Sequence, residues 1–350
     1  MFADNKNRLL NEREAAILTT LVHEYIETGR PVGSRTFVQK YSFSISPATM
    51  RNIMSDLEYL EYLKQPYASA GRIPTDKGYR FYVDSIMDNY EFDNYDNIEI
   101  HKRFFSGKII LDEIYKSVTK KLTEVSGYAS VMLTPKPDFA VIKRIELIPI
   151  DGHDVLMILI ARTGMIVTRK FSLSISVTLD LLRDYSTYLT SELSGYSISD
   201  IKKGMFEKLR EKKIDGFDIG MAVDMAELGL SIDEDSNFRV EGIETLLKIP
   251  EMTEEGILAG LLNIIEEKNI LKDIFESTME TEHIKTMIGN EIHDSKVRGC
   301  SIVVAPYKIG NTNVGVMGVV GPTRMDYEKV VPVVDYTCKI MSELLTEMSK

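Results

Sequence analysis

Ser46-Pro47 sets the frame for the first eighty residues, because Ser is a preferred helix N-cap and Pro is tolerated at the first helical position. From there Met50, Ile53, Leu57 and Leu60 recur at helical spacing as an inward stripe, leaving Ala48, Thr49, Arg51, Asn52 and Ser55 on the opposite face. Two helices precede this one. Asn11 and Glu14 have capping-box spacing ahead of Ile17, Leu18, Leu21, Val22, Tyr25 and Ile26, with Gly29 as the stop. A second, shorter helix starts at Ser34 after Arg30-Pro31 and buries Phe37 and Val38. Beyond the third, Tyr62–Tyr67 and Arg72–Thr75 read as β-capable arms around Ala68-Ser69-Ala70-Gly71, where glycine permits a tight reversal. Three helices and a hairpin predict a winged helix-turn-helix over residues 1–90, with a further helix at Phe81–Met87.

Charge is consistent with that reading only when counted by segment. The chain carries a net −11, which argues against nucleic acid because phosphate contacts need Lys and Arg. Between Thr28 and Phe81, however, eight basic residues face four acidic ones, a surplus of +4, and the remaining 296 residues hold −15. An acidic body with one basic segment orients an encounter with DNA and suppresses adhesion elsewhere.

At 350 residues and 44% hydrophobic, the chain exceeds what one compact core usually absorbs, so two or three domains are expected. An acidic Tyr/Asn-rich stretch at Asn89–Asn97 reads as a linker. A helix is expected at Ile109–Val125, then strands at Ala129–Thr134, Val141–Ile150, Val155–Ala161 and Met165–Phe171, and a helix at Thr178–Leu193. Strands return at Ser301–Ala305 and Asn313–Val319 before a last helix at Tyr327–Met348. The stretch between, 197–282, reads as helix-rich, with candidates at Met205–Leu209, Ile219–Leu228 and Ile257–Ile274. The pattern is an α+β multidomain fold: one α/β domain formed by 100–196 and 283–350, split by an insert at 197–282.

Several function classes find no support. The longest apolar run, Val155–Ala161, is strand-sized, so no membrane span is expected. The first ten residues have no apolar region after a basic start, and a cytoplasmic address is expected. Cys300 and Cys338 supply neither a disulfide framework nor a zinc set and read as buried small hydrophobes. His153, His283 and His293 lack ligand spacing, so no metal is indicated. The glycine-rich stretch at 315–321 lacks the Gly-Lys-Ser/Thr ending of a phosphate loop, and its valines read as a buried strand. With no nucleophile beside a base, an enzyme ranks last and no cofactor is expected.

Three ordered motifs carry a resemblance. Gly33-Ser34-Arg35-Thr36, the run from Ser46 to Glu58, and Ser69 to Arg80 resemble the HrcA family of heat-inducible transcription repressors, and Val314–Val320 followed by Gly321-Pro322-Thr323-Arg324-Met325-Asp326-Tyr327 is similar to that family's C-terminal signature. Ile288-Gly289-Asn290-Glu291-Ile292 departs from the family pattern. The resemblance implies a winged helix-turn-helix, a GAF-like domain and an inserted domain that helps form a homodimer. It also implies binding to an inverted-repeat operator upstream of chaperone genes, and a chaperonin that keeps the repressor active until heat stress titrates it away.

The residues expected to contact DNA follow from helix geometry. The N-terminal half of the third helix enters a major groove, so Ala48, Thr49, Arg51, Asn52 and Ser55 are the base-edge candidates, with Arg51 suited to guanine and Asn52 to adenine. Ser34, Arg35 and Thr36 begin the second helix, whose free N–H groups suit a phosphate; equally, Ser34 is a plain N-cap and Arg35 a solubiliser. Ser69, Gly71 and Arg72 form a tip that approaches the backbone or a minor groove, while Lys77 and Arg80 are phosphate contacts or a solvated helix face. The alternative class is a ligand-gated regulator whose GAF-like domain binds a small molecule. A winged helix used for protein contacts alone is disfavoured by the basic segment.

Overall fold

The computed structural model describes residues 8–88, 111–231, 238–249, 268–292 and 299–349. The expected linker at 89–97, the helix start at 109–110, most of the candidate helix beginning at 257 and His293 lie outside the described residues.

Helix α1 (Glu12–Thr28) opens with the expected capping box: Glu14 N donates to Asn11 Oδ1 at 2.9 Å and Asn11 N to Glu14 Oε2 at 3.0 Å. α2 (Ser34–Tyr41) and α3 (Pro47–Tyr59) follow. In α3 the buried residues are Met50, Met54 and Leu57, while Ile53 is half-buried, so the stripe steps by four and then three and passes through Met54. β1 (Leu63–Lys64) and β2 (Ile73–Pro74) pair antiparallel in a hairpin shorter than the expected arms. α4 (Asp76–Asp88) starts before the expected Phe81, because the Thr75 hydroxyl accepts from Gly78 N at 3.2 Å and caps an earlier turn.

The body begins with α5 (Leu111–Ser126) and β3 (Ala129–Leu133), whose residues are all buried. The chain then builds a second unit. β4 (Ile142–Pro149), β5 (Asp154–Ala161) and β6 (Ile166–Ser172) form their own three-stranded antiparallel sheet. α6 (Leu179–Leu193), α7 (Ile198–Lys202), α8 (Met205–Arg210) and α9 (Ile219–Leu230) share a separate core with it, spanning Ala140 to Leu230. The chain returns through β7 (Phe238–Glu241), α10 (Ile243–Leu246), α11 (Lys268–Met279), β8 (Lys285–Ile288), β9 (Cys300–Ile309), β10 (Thr312–Pro322) and α12 (Tyr327–Ser349). The main sheet has the order β7-β3-β10-β9-β8, each pair antiparallel. α5 and α12 cover one face over Met132, Val303, Met317 and Val319. α10 and α11 cover the other over Val131, Val304, Val316 and Val320.

This partition corrects the expected grouping. By sheet pairing and shared core, the strands between Ile142 and Ser172 and helix α6 belong with α7–α9, whereas β7, α10 and α11 complete the main sheet. The intervening unit is therefore about 140–230 and contains a sheet, rather than a helical 197–282. The reason is physical: alternation shows which residues of a strand face a core, not which sheet the strand joins.

The first 81 described residues form a head that packs against this body. One buried cluster runs from Ile17, Leu57 and Val83 to Ile288, Tyr327 and Val330. Polar contacts reinforce the seam. Arg80 Nε donates to Glu291 Oε1 at 2.8 Å, its Nη2 also binds Glu291, and Nη2 donates to Thr286 O at 2.6 Å. Asn290 N donates to Asp76 Oδ2 at 2.9 Å, and Tyr82 OH to Glu328 Oε1 at 2.8 Å. Gly289 sits at φ +52, and an added Cβ would lie 2.3 Å from the Asp76 carboxylate, so both conformation and space call for glycine.

Candidate nucleic-acid interface

Helix α3 is fixed at its start by Ser46, whose hydroxyl accepts from Thr49 N at 3.1 Å, with Pro47 in the first turn. Burying Met50, Met54 and Leu57 leaves Ala48, Thr49, Arg51, Asn52 and Ser55 exposed together on one face. Thr49 Oγ1 lies 3.0 Å from Ser46 Oγ, so its hydroxyl is partly engaged by the cap. Arg51 and Asn52 have no side-chain partner among the described residues.

The hairpin is tied to the start of α2 by the backbone. Val32 and Arg72 exchange two N–H···O bonds of 2.9 Å, an isolated bridge beside the hairpin. Close approach here requires Gly71: a Cβ on it would meet the Val32 carbonyl oxygen at 2.3 Å. Gln65 holds the tip from within, its Nε2 donating to Ala68 O at 3.0 Å and Ala70 O at 2.9 Å. The bridge brings Ser34, Arg35, Thr36, Arg51, Ser69, Gly71 and Arg72 around one groove of about 490 Å3. At its floor the first N–H groups of α2 have no helical partner, and Gly33, not Ser34, is the N-cap. The Ser34 hydroxyl and the Arg35 guanidinium have no partner among the described residues. One end of the groove thus offers helix-end donors and free guanidinium groups, which suits a phosphate oxygen.

Three cations from the sequence reading are used differently. Arg72 is only 16% exposed and its Nη2 pairs with Glu58 Oε2 of α3 at 2.8 Å, so it clamps hairpin to helix rather than reaching outward. Lys77 Nζ donates to Leu60 O at 2.9 Å, over the Tyr62 ring at 4.4 Å, and closes the end of α3 away from the groove. Arg80 belongs to the head–body seam. Sequence reasoning missed Val32, Gln65 and Glu58; one apolar, one amide and one acidic residue in non-periodic settings gave no signal.

The glycine-rich stretch at 315–321 lies in β10, buried at the centre of the main sheet. Both cysteines are buried, and burial pushes the Cys300 thiol up to about 12. Among the described residues no helix is long and apolar enough to cross a membrane, and no group of His, Cys, Asp or Glu is placed to hold a metal.

Residues 112–331 match the family model described as the HrcA protein C terminal domain. The heat-inducible transcription repressor HrcA of Geobacter sulfurreducens is 34% identical over 338 residues, covering 96% of this chain and 98% of that protein. The corresponding repressors of Pelotomaculum thermopropionicum and Leptospira biflexa are 33% and 31% identical, each over at least 96% of this chain and 97% of their own. A solved structure titled as a hypothetical protein superposes with a TM-score of 0.67 at 23% identity, covering 97% of this chain and 100% of that one, which establishes similarity of fold.

Proposed function

The chain belongs to the HrcA family of heat-inducible transcription repressors, and we propose that it represses as a homodimer that lays α3 of a winged helix-turn-helix into each half of an inverted-repeat operator. It is a negative regulator of heat-shock gene transcription, not an enzyme, and DNA is its partner. The observation that carries the proposed docking is the convergence of α2, α3 and the hairpin tip on one groove, beside an α3 face whose Arg51 and Asn52 have no partner among the described residues. Arg51 reads guanine and Asn52 adenine, Ala48, Thr49 and Ser55 complete the base-facing surface, and Ser34, Arg35, Thr36, Ser69 and Gly71 grip phosphates. Arg72 and Lys77 act by holding the hairpin and the end of α3 in place.

In this reading the main-sheet domain is the GAF-like domain and the unit around the three-stranded sheet is the inserted dimerising domain. The outward face of that sheet supports dimerisation. Ile148 and Ile150 are 42% and 51% exposed, beside half-buried Leu156 and Ile158. Family membership further supports chaperonin as the partner that keeps the repressor active and releases it under heat stress.

The test is fluorescence-anisotropy binding to an inverted-repeat duplex, to a scrambled one and to one whose half-sites are displaced by half a helical turn, with mass measured in parallel. Dimer-linked preference for the intact repeat is expected, because two-fold protein symmetry mirrors operator symmetry. Equal affinity for all three duplexes would sink the reading.

A further inference from the structure

A second groove, of about 480 Å3, lies where the main sheet meets the three-stranded unit. Leu111, Pro137, Met165, Ile166 and Val167 give it an apolar lining, and Tyr115 of α5 and Arg239 of β7 stand in its wall. Two polar atoms of these side chains are buried without a hydrogen-bond partner among the described residues: the Tyr115 hydroxyl and Nε of Arg239. Tyr115 is 4% exposed as a residue, and its ring stands 5.8 Å from the Arg239 guanidinium carbon. A folded chain rarely leaves two such donors unmatched at one place, because the desolvation cost of each goes uncompensated.

The chemistry of the orphan groups defines what fits between them. Nε–H only donates, and the phenol, whose pKa burial raises above its ordinary value, stays protonated and able to donate. Arg239 already pairs through Nη2 with Asp112, but the Asp112 side chain is 63% exposed, against 32% for Arg239, so solvent screens that carboxylate while the buried Nε–H stays dry. An acceptor carrying negative charge is therefore matched on the inner side. With one guanidinium, no second cation among the described residues that line it and a largely apolar remainder, the groove suits a carboxylate better than a phosphate, which gathers several donors. Its volume falls within the range of small-molecule sites.

We propose that this groove binds a small carboxylate with an apolar body, its head beside the Tyr115–Arg239 pair and its body against Leu111, Pro137 and Met165. The ligand touches α5 and β7 on one side and the β5–β6 hairpin on the other, so occupancy ties the main sheet to the three-stranded unit. The inference does not rest on the operator reading, since binding is read on the protein without DNA.

Isothermal titration and thermal melting of the full-length protein test it, with octanoate and phenylacetate as probes and methyl octanoate and octylamine as controls. At least one of the two acids should saturate a single site and raise the melting temperature, the controls binding at least tenfold more weakly. Arg239→Met should weaken that acid at least tenfold. Tyr115→Phe should weaken it several-fold without lowering the melting temperature of the free protein, because the hydroxyl it removes has no partner; this variant keeps the test decisive if Arg239→Met folds poorly. Failure of both acids to saturate, an ester or amine that binds as well, or full affinity in the Tyr115→Phe protein would overturn the assignment.

Discussion

Two sets of cations in the head are of the same kinds and are spent in opposite ways. On α2 and α3, Arg35 and Arg51 border a groove without an ion partner among the described residues. Arg72, which lines the same groove just before β2, and Lys77 and Arg80 of α4 are instead held by Glu58, the Leu60 carbonyl and Glu291. Of the eight basic residues between Thr28 and Phe81, these last three and Lys40, which pairs with Glu24, are engaged internally. A cation already matched by a carboxylate or a carbonyl gains little from a phosphate. A solvated one releases counterions when it meets DNA. Residue type therefore marks both sets alike, and partnering separates the cations proposed to grip DNA from those that hold the head together.

The contrast breaks most severely at Gly71. A Gly71→Val side chain would collide with the Val32 carbonyl and force the hairpin from α2, lowering stability by about 3 kcal/mol and abolishing measurable operator binding, read by denaturant midpoint and anisotropy. Next, Arg51→Ala should cost roughly 1–3 kcal/mol at the operator and much less on random DNA; an equal loss on both would make Arg51 a phosphate contact. Arg80→Met should leave operator affinity per folded molecule unchanged yet lower stability by about 2 kcal/mol, between the values for exposed and buried pairs.

That seam also has a pH signature. Burial alone would raise the Glu291 pKa, but the Arg80 hydrogen bond and the Ile288 amide outweigh it and hold the carboxyl below its ordinary value of 4.5. The depressed folded pKa means the contribution is full above the unfolded value and fades as pH falls from about there through the lower folded value. Thermal melts of wild type should show that acid-side loss, and Arg80→Met should flatten it. The smallest pair sharpens the comparison: Lys77→Met should cost under about 1 kcal/mol of stability and leave the salt dependence of binding alone, whereas Arg35→Ala should reduce the slope of log affinity against log salt by about 0.9.

Much of this was legible in advance. The capping box at Asn11 and Glu14, the Ser46-Pro47 start and the polar face of α3 are local devices, and local devices survive into the fold. The short strands β7 and β8 were not legible, because four half-buried residues such as Phe238–Glu241 show no usable period. Nor was the separation of β4–β6 from the main sheet. On α3 the exposure of Arg51 and Asn52 was readable from helix geometry, but the contacts of Arg72 and Lys77 depend on Glu58 and Leu60 and appear only once the hairpin is folded back on α3. Glu291 lies in a short non-periodic segment after β8, and its use is clear only opposite Arg80.

The strand order of the main sheet has a consequence for how the molecule is made. β3 ends at Leu133, yet its neighbours are β7, which begins at Phe238, and β10, which begins at Thr312. At ribosomal speeds of about 5–20 residues per second, β3 waits roughly 10–40 seconds for its second partner to be synthesised. Through that interval five apolar-rich residues with unsatisfied edges must be kept from pairing with other chains. Each new copy of the chain thus passes through an aggregation-exposed stage set by topology alone, which ends only when the last strands of the main sheet emerge.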